Sequence, residues 1–329
     1  MHKPYQQIKQ DERDLIAHLH AKGLSHREIS RRIGRNKSTI SRELRRNSSG
    51  VYDVYLAHKA QDRASMRKKE SGQRPRLKDK RIKRYVICKL KQGWSPEQIS
   101  GDLKQNHLDM SISHEAIYQY VYAKETLKTA NLKGYLPRAN RIRRPRGYSR
   151  KHTKSHIPRR VSIDERPKYI DKRKQIGHWE SDTMVSRASK ASVVVTLERA
   201  TRYVKLGKVK AKQARDVSNA INRRLGRLPK SVRRTITYDN GSENIEHERT
   251  NKILGTASYF CNPYHSWEKG SVENAVGLVR RFLPKKTDIA KITKEQIKKI
   301  ENRLNHRPRK CLNFKTPYQL FTSSVALPS

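Results

Sequence analysis

Between Pro137 and Arg160 the chain carries ten Lys or Arg and no Asp or Glu, and Pro137, Pro145, Pro158 and Gly147 interrupt any helix there. So charged a stretch, with so few apolar residues, cannot bury enough surface to fold alone. The chain therefore divides around it, and 329 residues suit two or three domains of ordinary size.

Before the divide the pattern is helical. In LIAHLHAKG (15–23), Leu15, Ile16 and Leu19 fall on one stripe and Gly23 reads as the stop. Ser25 followed by Glu28 is a capping-box signature, with Ile29 and Ile33 on the buried side and Gly34 as the next turn. A third helix from about Asn36 turns Ile40 and Leu44 inward, leaving Lys37, Ser38, Thr39, Ser41 and Arg42 outside. This is helix-turn-helix spacing, and a recognition helix sets just such short polar donors and Arg against base edges. The plainer alternative is a three-helix bundle with a solvated polar face.

A similar unit follows. IKRYVICKLKQGW (82–94) ends at Gly93, and Ser95, Pro96, Glu97 and Gln98 supply an N-cap, an N1 proline and an N3 partner. Ile99 and Leu103 face its core. Ser113 caps SHEAIYQYVY, with Ile117 and Val121 inside and His114 and Gln119 outside as candidate DNA contacts. The expected organisation is a first helix-turn-helix domain at 1–60, a basic linker at 61–80, a second helix-turn-helix domain at 81–125 and a basic linker at 126–170. An α/β domain at 171–290 and a C-terminal helical segment at 291–329 complete it. In the second linker Arg141, Arg143, Arg144 and Arg146 are candidates for phosphate contact.

Charge names the partner class. Lys and Arg number 76 against 30 Asp and Glu, a formal +46. The excess stands on both sides of Arg160, with 40 basic and 14 acidic residues up to it and 36 and 16 after it. The natural counterion of such a chain is a polyphosphate backbone, so nucleic acid is the expected partner and, given the helix-turn-helix spacing, double-stranded DNA. No run is long and apolar enough to span a bilayer, and MHKPYQQIKQDERD lacks the core of a signal peptide, so the expected compartment is the cytoplasm. Cys88, Cys261 and Cys311 are far apart and odd in number, which suits reduced thiols and argues against a zinc finger.

After residue 175 apolar runs rich in β-branched residues alternate with helical stretches. Strands are expected at 177–185, 191–200, 203–211, 234–241 and 256–262, with helices over about 212–225, between the last two strands, and from about Glu268 to Phe282: a mixed α/β sheet. In the first strand His178, Glu180, Asp182 and Met184 share a face. Asp239 ends the fourth strand before an Asn-Gly turn, at the edge where open α/β sheets bind ligands. If the two strands are neighbours, their carboxylates converge.

In WEKGSVENAVGLVRRFLPK (267–285), Val272, Val276, Val279 and Leu283 form the buried stripe and Glu273 lies at its border. Lys269, Arg280 and Arg281 are the basic candidates for DNA contact along this helix, and Tyr264 and Trp267 the aromatic candidates for base stacking. Three carboxylates suit phosphodiester cleavage and strand transfer, where two Mg²⁺ or Mn²⁺ ions about 3.5–4 Å apart stabilise the attacking and leaving oxygens. Glu180 and Glu268 compete with Glu273 for the third position, and spacing does not choose.

GHWESD, TYDNGSE, PYHSWEKGSVEN with GLVRRFLPK, and LNHRPRKCLNFKTPYQLF resemble the insertion-sequence-30 family of bacterial DDE transposases. Upstream, STISREL, WSPEQIS and SHEAIY are similar to the same family. The resemblance implies an RNase H-like catalytic domain with Asp182, Asp239 and Glu273 as catalytic residues and ligands of two Mg²⁺ or Mn²⁺ ions. It also implies binding to terminal inverted repeats and target DNA, joined-end circular intermediates, and a homodimer or higher multimer. Ser181 and Val272 depart from residues common in the family, and neither is a metal ligand. The rival reading is a helix-turn-helix regulator whose α/β domain only dimerises.

Overall fold

The computed structural model describes residues 7–48, 54–71, 77–107, 109–136, 157–263 and 265–326. Two compact units emerge, residues 1–76 and 77–329.

The first unit packs α1 (Gln10–Ala21), α2 (His26–Ile33), α3 (Lys37–Asn47) and α4 (Ala57–Ser71) around Ile16, Leu19, Ile29, Ile40, Leu44, Tyr55 and Ala60. Ser25 Oγ accepts the Glu28 amide at 3.3 Å, but the Glu28 carboxylate turns to Arg32 instead of completing a capping box. Leu15 is not on the core stripe: it is 41% exposed, and Arg13 is buried in its stead. The cause is α4, which covers that side of α1 and brings Gln61 within 2.6 Å of Arg13 Nη1. Residues 61–71, expected as linker, thus belong to a helix. Two of its cations have a local task. Arg63 donates to the Asn47 carbonyl at 2.7 Å and Arg67 to Asn47 Oδ1 at 2.6 Å, at the C-terminal end of α3 where carbonyls lack helical partners.

The second unit begins with α5 (Lys80–Lys91), α6 (Pro96–Asn106), α7 (His114–Tyr122) and α8 (Lys124–Thr129). Here the capping box is complete: Ser95 Oγ accepts the Gln98 amide at 3.3 Å and Gln98 Oε1 accepts the Ser95 amide at 3.0 Å. Val86, Leu90, Trp94, Ile99, Leu103, Ile117 and Val121 form the helical core.

A five-stranded sheet follows, built from β1 (His178–Val185), β2 (Ser192–Glu198), β3 (Val204–Val209), β4 (Thr235–Tyr238) and β5 (Ala257–Phe260). Its order is β3-β2-β1-β4-β5. Short connections make β1, β2 and β3 antiparallel, whereas α9 (Ala214–Leu225) and α10 (His247–Leu254) carry the chain across to parallel β4 and β5. One face packs Trp179, Val194, Ile221 and Tyr238 with Phe321 of α13 (Pro317–Ala326). The other packs Met184, Val193, Val195 and Leu197 against α11 (Gly270–Val279) and α12 (Lys294–Asn305).

The C-terminal segment is therefore part of the α/β core. It also closes the sheet edge at β3. Asn305 Oδ1 accepts the Val204 amide at 2.8 Å, its Nδ2 donates to the Val204 carbonyl at 2.9 Å, and Glu301 accepts the Leu206 amide at 2.7 Å. Side chains thereby occupy backbone groups that an open edge would offer to another strand.

The second helical unit is docked on this domain. Arg281, just past α11, donates to the carbonyls of Gly93 and Tyr135, each at 2.9 Å. Gln98 donates to the Pro308 carbonyl at 2.7 Å and accepts Arg307 Nε at 2.6 Å. Phe314 lies so close over Gly101 that a Cβ there would collide with its ring. Of the second expected linker, residues 126–136 form α8 and a 3-10 turn, and Val161 and Ser162 extend the sheet beside Phe260. Arg141, Arg143, Arg144 and Arg146 lie outside the described residues.

Candidate active site

Asp182 is not at the end of its strand, since β1 continues to Val185. It lies where β1 loses its neighbour: β4 pairs in parallel with β1 through Glu180↔Thr237 and stops at Tyr238. Carried on by two residues, that register sets Asp182 level with Asp239. Asn244 holds the second carboxylate, its Nδ2 donating to Asp239 Oδ1 at 2.7 Å, and the Thr183 amide donates to Asp182 Oδ1 at 2.8 Å.

Between the two acids lies Lys269, with Nζ 3.1 Å from Asp239 Oδ2 and 3.6 Å from Asp182 Oδ1. Burial alone would lower this ammonium's pKa, but the two carboxylates outweigh it and hold the group above its ordinary value. Burial raises the Asp182 pKa, Lys269 opposes the rise, and the Asp239 charge adds to it. Burial pushes Asp239 the same way, yet its closer contact with Lys269 prevails and the pKa is lowered. The two acids are thus electrostatically unequal. Their side chains keep 23% and 40% of their surface exposed, so both remain open to a ligand, whereas Lys269 keeps 6%. Lys269, expected on DNA phosphates, is here a buried counterion to the acid pair.

Glu273 stands on α11 one turn beyond Lys269, exposed, and makes no hydrogen bond or ion pair among the described residues. Among those residues no three His, Cys, Asp or Glu side chains are gathered closely enough to hold one ion. The rival acids are otherwise engaged. Glu180 is fully buried, accepting the Val272 amide at 3.0 Å with Arg199 Nη1 at 3.5 Å. Glu268 accepts the Asn262 amide at 2.8 Å and faces His265.

Glu243 went unnoticed in the sequence although it lies in the TYDNGSE run. It is buried, meets Lys212 Nζ at 2.8 Å, and its charge also raises the Asp182 pKa. A third acid therefore lies within electrostatic reach of the pair.

Other expected contacts sort by exposure. Lys37, Ser38 and Arg42 are exposed on α3, and Thr39 and Ser41 are half-buried; Asn36 accepts the Ser38 amide at 2.9 Å and so starts the helix there. His114 and Gln119 are exposed on α7. Arg280 is partly buried and donates to the Val185 carbonyl, and Arg281 is engaged with Gly93 and Tyr135 rather than free for DNA. Trp267 is 69% exposed and stacks on His265, and Tyr264 lies outside the described residues. No helix of the described residues is long and apolar enough to cross a membrane.

Residues 4–47 match a helix-turn-helix domain model. The chain is 36% identical over 321 residues to the transposase for insertion sequence element IS4351 of Bacteroides fragilis, spanning 97% of this chain and 96% of that one. It is 35% identical over 323 residues to the transposase InsI for insertion sequence element IS30A of Escherichia coli strain K12, spanning 95% and 82%. Among solved structures, the catalytic core domain of BIV integrase is similar with a TM-score of 0.36 and 20% identity, over 45% of this chain and 95% of that one.

Proposed function

Because the chain belongs to the insertion-sequence-30 family of transposases, we propose that it binds the terminal inverted repeats of its own element and catalyses divalent-metal-dependent strand cleavage and strand transfer. The observation that carries this reading is the meeting of Asp182 and Asp239 around one buried cation. Two carboxylates facing a common positive charge, each partly open to solvent, are a hard-oxygen donor set that fits Mg²⁺ or Mn²⁺. Two such ions, when bound, would stabilise charge on the attacking and leaving oxygens of an in-line displacement.

Asp182, Asp239 and Glu273 are the proposed ligands. Lys269 balances the charge of the first two and keeps them from repelling apart. Glu180 positions α11 by accepting its Val272 amide, and thereby positions Glu273 one residue on. Joining two ends would engage more than one copy of the chain.

The test is cleavage of a duplex carrying the element's own ends. Chelator should stop the reaction and Mg²⁺ or Mn²⁺ restore it, and Glu273→Gln should abolish it while Glu268→Gln leaves most of it. Specific binding with no cleavage under any divalent ion would leave a DNA-binding regulator instead.

End recognition is assigned to α3 through Lys37, Ser38, Thr39, Ser41 and Arg42, with His114 and Gln119 of α7 as a second reading surface. In the free protein Arg42 lies along the helix, Nη2 donating to Ser38 Oγ at 3.1 Å, and is free to swing to a base. Arg42→Ala should relax specificity at one base position by about 1–3 kcal/mol, the worth of a bidentate contact to guanine. Competition between single-base variants of the repeat measures it. An unchanged base preference would put Arg42 on phosphate or in solvent.

A further inference from the structure

Beside the first turn of α11 opens a cavity of about 270 Å³ whose walls include Arg173, Arg202, Arg309, Ser271, Asn274 and Cys311. Among the described residues no Asp or Glu lines it. Three guanidinium groups thus share a small space with no carboxylate among its walls, an arrangement that self-repels until an anion enters. Arg309 Nη2 donates to the Leu304 carbonyl at 3.3 Å, but among the described residues its buried Nε has no hydrogen-bond partner, a donor that a protein interior rarely leaves unmet. Among the described residues the Arg202 side chain reaches only the Ser271 hydroxyl, and the Arg173 side chain meets no carboxylate.

The local backbone points to the same ligand chemistry. Arg173 and Arg202 both hold left-handed backbone, with φ of 54° and 62°, a strain that non-glycine residues carry chiefly where the surroundings demand their position. Planar guanidinium forks are suited to a tetrahedral oxyanion.

We propose that this cavity is a phosphate-binding site and that its occupant is a backbone phosphate of the DNA on which the enzyme acts. The assignment rests on the reading of the chain as a DNA strand transferase. The cavity and the acid pair share one turn, because Gly270 lines the cavity and directly follows Lys269, which lies between Asp182 and Asp239. A phosphate held there would fix the strand beside the reacting bond without touching it, so Arg173, Arg202 and Arg309 are positioning residues. A phosphate contact carries no base information, so the site would hold any sequence alike.

Cys311 reports on the cavity from within. Its thiol is exposed on the wall, Cys88 is exposed on α5 away from it, and Cys261 is buried. In the full-length protein, iodoacetamide labelling followed by peptide mass analysis gives the three rates at once. A duplex carrying the element's end, at about ten times its dissociation constant, should slow Cys311 labelling about tenfold and leave Cys88 nearly unchanged. Inorganic phosphate should give the same protection at higher concentration. Arg202→Gln or Asn274→Asp should remove the protection with Cys261 still unreactive, which marks an intact fold.

Fluorescence anisotropy of the same labelled duplex separates the possible failures. Normal DNA binding with Cys311 unprotected overturns the phosphate site and leaves the strand-transferase reading standing. Absence of DNA binding overturns that reading itself. Protection by inorganic phosphate but not by DNA overturns the nucleic acid as occupant.

Discussion

Asp182→Asn and Asp239→Asn should each lower strand cleavage by about a thousandfold or more, and neither should change binding to the proposed terminal repeats appreciably. Either change keeps the shape of the side chain and removes the charge that faces Lys269. If the carboxylates hold divalent ions, the lost stabilisation is several kcal/mol, and each 1.36 kcal/mol is about tenfold in rate. Gel-based cleavage and end-binding measurements on the same preparations check both halves. Strand transfer at the wild-type rate by either variant would remove these acids from the chemistry. Glu180→Gln is the informative contrast: it leaves Arg199 with Asp171 as its one carboxylate partner among the described residues and a neutral amide in place of the other, so its main effect should appear as lost stability.

Glu43→Ala should largely unfold the first helical unit. Glu43 Oε1 accepts Arg13 Nε at 2.7 Å and the Tyr55 hydroxyl at 3.2 Å inside the core of that unit. Deleting the carboxylate strands a buried guanidinium, at a cost of about 3–5 kcal/mol. A unit of residues 1–76 holds in total only about 4–11 kcal/mol at typical per-residue stability. Its melting transition should fall by roughly 12–40 °C, at about 4–8 °C per kcal/mol for this size. Sequence-specific end binding should fail with it, while weak binding to any DNA persists through the remaining charge. Calorimetry of the full chain beside Glu43→Gln, which keeps a hydrogen-bond acceptor, distinguishes loss of the network from loss of a DNA contact. A wild-type melting profile for Glu43→Ala would refute the structural role.

Glu43 lies within STISREL, the run read in the sequence as a recognition helix, and it shows where sequence reasoning stops. Caps and periodicities are local, so Ser25, Asn36, Ser95 and the alternation along β1 were legible before any fold was known. The convergence of Asp182 with Asp239 required only that two strands be neighbours, which the strand–helix–strand pattern suggested. Burial of Arg13 depended on Glu43 and on Gln61 of a segment that looked like charged linker. A cation next to a catalytic acid reads as a DNA contact, and only the approach of the 3-10 turn Ser266–Lys269 to the β1/β4 edge turns Lys269 into a counterion. Likewise, nothing local in α12 reveals that Asn305 and Glu301 occupy the backbone of β3.

The grip of Arg281 on Gly93 and Tyr135, together with Phe314 over Gly101, bears on how such enzymes can be recombined. A specificity module grafted from a relative at the start of the α/β domain would inherit a foreign partner for Arg281 and for Phe314. It would load any mismatch onto α11, the helix that carries Glu273. The seam that cuts none of these bonds lies between Arg76 and Leu77, where the two compact units meet in sequence. A chimaera joined there exchanges only the first helical unit. The second helical unit travels with the α/β domain as a matched part; if it too reads the end, as proposed, end preference would be inherited in two portions, one portable and one bound to the chemistry.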